Sequence, residues 1–407
     1  MLAALLDGEF ASRARLRLWA SGLIIAFVAS IAFLAVTAQG LNDFKGRPLG
    51  TDFSDVYTAG MLARDGVPDA AYDPPRHYRQ EQAIFGLDTQ FYGWHYPPFF
   101  LLVAGELAAL PYIPALLLWL VASLAAYVWA MRALQRAGPA SELVRDPLWL
   151  LLVLAFPAVF INFVHGQNAF ATVALAAGGL ALLDRRPLAA GVLFGLMAYK
   201  PQFAVLLPVA LIAGGRWKAL AAAAATLGGL VAIATIVFGP GIWPAFFGSS
   251  EFSRVVVLEQ GSTGFEKIQS VFAAVRLLGG SISTAYAVQG VVSLLIAGAL
   301  ALLWRGAASQ ALKGAGLCLA MLLATPYCLD YDLMLLAPAI GLLAGEGRAS
   351  GWHRGELLLL AALWLMPVVV RILASATHFA LGPVLLALGF ALVARRAAIS
   401  RSAPLFV

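Results

Sequence analysis

The feature that most constrains this chain is a succession of about a dozen apolar stretches, several without a single charge, such as 148–164 and 219–238. A membrane span needs about 20 mostly apolar residues, and soluble proteins bury only a few stretches of that kind. Overall, 61% of the side chains are hydrophobic and 12% are charged, about half the charge of an ordinary globular domain. The solvent for most of this chain is lipid. There the backbone must satisfy its own hydrogen bonds, which leaves helices or closed barrels. Barrel strands alternate apolar and polar residues, whereas these runs read Ala, Leu, Val and Gly continuously. The expected fold is all-α, a polytopic integral membrane protein.

Basic residues orient the path. Arg13, Arg15 and Arg17 precede span one (19–39) and hold the N-terminus in the cytoplasm. This apolar stretch exceeds that of a signal peptide, so it reads as an uncleaved span. An external loop follows over 40–111. Its polar part, 40–96, is acid-rich, and 97–110 reads as a short interfacial helix bracketed by prolines. Span two (112–131) returns to the cytoplasmic Arg132, Arg136 and Arg145. Spans three (147–164) and four (169–183) rise to His165 and descend to Arg185 and Arg186. Spans five (188–199) and six (201–214) each cover only about 18–21 Å, so their turn at Lys200 sits within the membrane depth, facing protein or a wet cavity. Span seven (219–238) leads to a second external segment, 239–285. Spans eight (286–303), nine (314–327), ten (333–345), eleven (356–370) and twelve (379–394) end at Arg395 and Arg396, which places both termini inside. The chain reads as one domain, 1–407, without a fixed-period repeat.

The formal charge of +6 serves topology and comes with no nucleic-acid motif, so no nucleic-acid partner is expected. Cys318 and Cys328 fall about 15 Å apart along one predicted helix, beyond disulfide reach, so both read as free thiols. There is no HExxH pair, Walker loop, Rossmann fingerprint or GxSxG elbow, and no metal set stands out.

The polar residues at the outer boundary are the candidates for chemistry. Asp52 and Asp55 follow span one. A carboxylate at a dry boundary keeps enough basicity to take a hydroxyl proton, while Asp52 equally suits an N-cap for the next helix. His95 and Tyr96 lie in Trp94-His-Tyr-Pro-Pro98, either an interfacial anchor or a platform for a sugar or lipid. His165, Gln167 and Asn168, with Lys200 and Gln202, are costly at membrane depth. Lys200 suits a phosphate and the amides suit hydroxyls, or the set braces a turn. Lys267 and Arg276 add cations on the second external segment, or belong to a solvated loop. Asp330 and Asp332 flank Tyr331 at a helix start, where acidic caps are common.

Taken in order, Thr51-Asp-Phe53, Tyr96-Pro-Pro98, His165-Gly-Gln-Asn168, Tyr199-Lys-Pro-Gln202, Lys267-Ile-Gln-Ser-Val-Phe272 and Thr325-Pro-Tyr-x-x-Asp-Tyr-Asp332 resemble bacterial glycosyltransferase family 87, over about residues 45–345. That family belongs to the GT-C membrane glycosyltransferases and includes polyprenyl-phosphate-mannose-dependent enzymes. The resemblance implies an inverting transferase in the bacterial inner membrane, with its active site on the periplasmic face. A polyprenyl-phosphate-linked sugar would be the donor and a lipid or glycan the acceptor, and the moved sugar a hexose, mannose favoured, or a pentose. It implies Asp52 as the general base with Asp55 in reserve, and His165 and Lys200, then Lys267 and Arg276, toward the donor phosphate. Mannoside-making members carry a histidine in the late motif where this chain has Asp330-Tyr-Asp332. Such a leaving group can be neutralised by Lys, Arg or His, so no cofactor is expected. The rival readings are a lipid or solute flippase, which should show internal repeats, and an external acyltransferase or polysaccharide ligase, which should show an HxxxD-like pair or a nucleophile.

Overall fold

The structure is a computed structural model, described over residues 2–402. It is helical, with only isolated β-bridges and no strand among the described residues. Six helices are long and apolar enough to cross a membrane: Arg13–Val36, Tyr112–Ala137, Trp217–Phe238, Ile282–Arg305, Glu356–Thr377 and Leu381–Ile399. Two of them, Arg13–Val36 and Trp217–Phe238, bury only 6% of their apolar window. Ile25, Val28, Phe33, Ile233 and Ile236 therefore face outward, an arrangement that water would penalise and lipid does not. The protein is a multi-pass membrane protein.

The expected count of about twelve spans is not matched helix for helix. Residues 147–164 form two helices, Pro147–Leu154 and Pro157–His165, bent by 48°. The cause is local. Pro157 has no N–H to continue the first helix and forces Phe156 to extended ψ (122°). Counting that pair as one span gives seven. The other apolar helices, Ala169–Leu182, Pro187–Tyr199, Pro201–Ala213 and Gln310–Ala324, are shorter, and the middle two still expose Leu188, Val192, Val205 and Ile212. Gln310–Ala324 is buried over nearly its whole length, against Leu300, Leu336, Leu363 and Val393. Gln310–Ala324 also ends before Cys328, because Thr325 is extended ahead of Pro326. Cys328 therefore lies beyond the helix in which the sequence placed it. Both thiols are free and buried.

The segment between the first two long helices is helical: Phe53–Arg64, Pro74–Phe85 and Phe100–Leu107. Their shared core is aromatic. Tyr112 makes edge contacts with Tyr57 and Phe85 at centroid separations of 5.1 and 4.9 Å. Phe53–Arg64 also crosses Phe100–Leu107 so closely that a Cβ on Gly60 would sit 2.1 Å from the Ala104 carbonyl oxygen.

Candidate functional site

The polar residues of distant segments meet in one cleft of about 850 Å³. Its floor is built where Pro157–His165 ends. Gly166 takes the left-handed conformation (φ 63°) and caps that helix, a geometry glycine adopts without strain. A Cβ there would lie 2.6 Å from Phe53 Cβ. The turn thus brings His165 and Gln167 against the start of Phe53–Arg64, and the Asp52 N–H donates to the His165 carbonyl at 2.9 Å.

Asp52 occupies the N-cap position of Phe53–Arg64, but its side chain makes no cap hydrogen bond. The capping reading does not hold. Instead Oδ2 accepts from Gln167 Nε2 at 2.9 Å, and Oδ1 stands 3.7 Å from His165 Nδ1. Gln167 is itself oriented, its Oε1 accepting from the Asn168 N–H (3.0 Å) and the Tyr96 hydroxyl (3.4 Å). Thr51 Oγ1 lies 2.7 Å from His165 Nδ1. Burial alone would raise the Asp52 pKa, but the charges of His165 and Lys267 and the Gln167 hydrogen bond overcome it and hold the carboxyl below the usual range. Asp55, one helical turn on, moves the opposite way. Burial, then the negative charge of Asp52, push it well above the ordinary value. Two neighbouring carboxyls are thus separated, the Asp52 pKa held low and the Asp55 pKa pushed up.

Lys200 and Tyr331 form the adjoining wall. Lys200 is buried and donates to Asp332 Oδ1 at 2.7 Å. The other oxygen of Asp332 accepts the Leu329 N–H at 3.0 Å, so this residue caps its turn and neutralises a lysine at once. The Tyr331 ring lies 5.2 Å from Lys200 Nζ, 5.7 Å from Lys267 Nζ and 6.3 Å from the His165 ring. An N–H···O bond from Gln269 to Cys328 (2.6 Å) ties the Lys267 segment to that wall. Across the cleft, His95 Nδ1 pairs with Ser253 Oγ at 2.5 Å. Burial, then the nearby His77, lower the His95 pKa to about 4, so the ring is neutral.

Of the residues singled out from the sequence, Asp52, Asp55, His95, Tyr96, His165, Gln167, Lys200, Gln202, Lys267 and Asp332 line the cleft. Three do not. Arg276 braces its own loop, donating to the Gly280 and Glu259 carbonyls and lying over the Phe265 ring. Asn168 is buried behind Gln167, and its carbonyl accepts from the Tyr199 hydroxyl. Asp330 turns to Arg371 at 3.2 Å. Three arginines that the sequence reading passed over, Arg47, Arg254 and Arg371, line the cleft instead. Arg47 is paired with Asp43 and Arg254 with Glu259. Arg371 carried a usable signal, a lone charge at the end of an apolar run; Arg47 and Arg254 lie in the two external segments, each with acids close by in sequence. No group of acids, histidines and cysteines able to hold a metal occurs among the described residues.

A bundle of membrane helices with a cation-rich cleft that holds a carboxylate is suited to group transfer at a membrane. The family model for glycosyltransferase family 87 matches residues 94–326, more than half of the sequence. The chain belongs to that family and is a membrane glycosyltransferase. The matched region contains His165, Gln167, Lys200 and Lys267; it begins after Asp52 and ends before Asp332. No curated protein and no solved structure matches the chain.

Proposed function

We propose that the chain transfers a hexose, mannose favoured, or a pentose from a polyprenyl-phosphate donor to a hydroxyl of a lipid or glycan acceptor, with inversion. The reaction takes place on the periplasmic face of a bacterial inner membrane, and both termini are cytoplasmic. The observation that carries this reading is Asp52, ionised at the floor of a cationic cleft and aimed by Gln167. Asp52 takes the acceptor's proton as its oxygen bonds to C1. The bond from C1 to the phosphate oxygen breaks on the opposite side, and its electron pair leaves with the lipid phosphate. Lys267 and His165 stabilise that departing charge.

The pull of Lys267 and His165 weakens Asp52 as a base before the donor binds. An anionic donor bound between them offsets their pull and returns basicity to Asp52 when it is needed. Asp55, buried one helical turn away with its pKa raised, stays the reserve candidate for the base.

The test is transfer of label from radiolabelled polyprenyl-phosphate sugars by purified protein in liposomes. Asp52→Asn removes transfer by at least about a thousandfold while the melting profile stays unchanged. Wild-type rates in that variant would overturn Asp52 as base. Movement of lipid with no new glycosidic bond would favour a flippase. Cysteine labelling that put positions 52 and 200 on different sides of the membrane would sink the assigned face.

A further inference from the structure

Arg371 is the one cleft-lining side chain, among the described residues, carried by any of the six long apolar helices. It stands on Glu356–Thr377, six residues before the helix end, about 9 Å by helical rise. Its side chain is 46% exposed. Leu365, Val368, Val369 and Ile372 beside it are exposed and apolar, while Met366, Val370 and Ala374 pack inward. One residue therefore faces the cleft on one side and a lipid-coated helix surface on the other.

A guanidinium at this depth is costly. The ordinary remedy is to snorkel toward water along the helix surface. Arg371 instead points into the protein, where one of its N–H groups donates to Asp330 Oδ2 at 3.2 Å. Asp330 is buried, with its other oxygen held by the Tyr331 N–H at 3.0 Å, so the carboxylate is held on both oxygens and the arginine is the half-exposed partner. A guanidinium has five N–H donors in a fork that suits phosphate oxygens, and this pair engages only one of them.

The geometry points to Arg371 as the receiving residue of a side entrance, through which a lipid carrying a phosphate passes from the bilayer into the cleft, with Asp330 holding the guanidinium in place until the phosphate arrives. This rests on the lipid-phosphate donor proposed above and adds where it enters and which residue receives it. Arg371 lines the same cleft as Lys267 and Tyr331, so a phosphate released by Arg371 reaches the cations around Asp52 without leaving that cleft.

The test is direct binding to the full chain in phosphatidylcholine nanodiscs, using a long-chain polyprenyl phosphate, the matching polyprenol and inorganic phosphate as probes. Arg371→Leu is combined with Asp330→Asn, so that no buried carboxylate is orphaned, and Arg371→Lys is the conservative partner. Polyprenyl phosphate should bind the double variant about ten- to a hundredfold more weakly than wild type, the worth of one charge-assisted contact. Arg371→Lys, which keeps the charge and loses the fork, should fall between wild type and the double variant, and polyprenol should not distinguish the three proteins. Equal affinity of wild type and double variant for polyprenyl phosphate overturns the entrance and leaves the donor class intact. Inorganic phosphate binding as tightly as the lipid, with the same loss in the double variant, makes this an aqueous phosphate site and also overturns it. A wild-type protein that does not bind the lipid phosphate at all removes the donor class as well.

Discussion

Lys200 and Lys267 have the same formal charge and line the same cleft, yet their removal should have opposite consequences. Lys200 Nζ lies 2.7 Å from Asp332 and is buried; Lys267 faces the Tyr331 ring and forms no ion pair with a described carboxylate. Consider a phosphate about 5 Å from either ammonium at an effective dielectric of about 20. Lys267 contributes about 3 kcal/mol. For Lys200 the repulsion from Asp332, about 7 Å from the same phosphate, cancels most of that and leaves about 1 kcal/mol. Lys267→Met should therefore lower kcat/KM about a hundredfold at unchanged melting temperature. Lys200→Met strands Asp332 as a buried charge and should cost about 3–5 kcal/mol of stability. Adding Asp332→Asn removes that charge, keeps an oxygen to accept the Leu329 N–H, and should restore folding with kcat/KM within about tenfold of wild type. Label-transfer kinetics in liposomes, paired with thermal melts in detergent, read both quantities. A double variant that melts like wild type but loses as much activity as Lys267→Met would refute the cancellation. So would a Lys267→Met enzyme at full rate.

Two further substitutions probe the helical segment that carries Asp52. His77 and Glu81 are fully buried there, with Nε2 and Oε1 3.7 Å apart. Burial lowers the His77 pKa to about 3 and raises the Glu81 pKa to about 9. Folding thus holds a proton on Glu81 that the unfolded chain gives up, so this residue's contribution is complete below the ordinary carboxyl range and is lost as pH rises toward about 9. Glu81→Gln should remove that loss and stabilise the protein by about 1–3 kcal/mol at pH ~8 with little change at pH ~5, once relaxation of the buried site is allowed for. Parallel pH–melting curves for variant and wild type would refute it. Gly60→Ala should cost about 1–3 kcal/mol and lower activity with it, because its Cβ would strike the Ala104 backbone and displace the helix behind Asp52. A melting temperature equal to wild type in detergent would show that the crossing gives way.

The helical class and most element positions could be read directly, because apolar runs in lipid have one solution for their backbone hydrogen bonds. The short pair around Lys200 was legible from length alone: Pro187–Leu196 and Leu206–Ala213 cannot each span a bilayer. The Pro157 bend was equally present in the sequence, but an 18-residue apolar run hid it, since hydropathy ignores the missing N–H. Charge pairing was not legible. Lys200 and Asp332 are 132 residues apart, and no local pattern says that a costly lysine already has its counter-ion. The same blindness misplaced Arg276, which is held by the Gly280 and Glu259 carbonyls, whereas Arg371, a lone charge at the end of an apolar run, was legible and passed over.

What the sequence supplies is therefore an inventory of expensive groups, and what the fold supplies is which of them remain unspent. Asp332 answers Lys200, Asp43 answers Arg47 and Glu259 answers Arg254. Among the described residues, Lys267 is left without a carboxylate of its own near Asp52, whose pKa it holds low together with His165 and Gln167. A cleft with every cation paired would have no pull on a phosphate, and one with every cation free would pay their mutual repulsion in the absence of ligand. The partial pairing seen here places the uncompensated positive charge beside the one ionised carboxylate that can use its neutralisation. On this physics, donor binding and activation of Asp52 are a single electrostatic event.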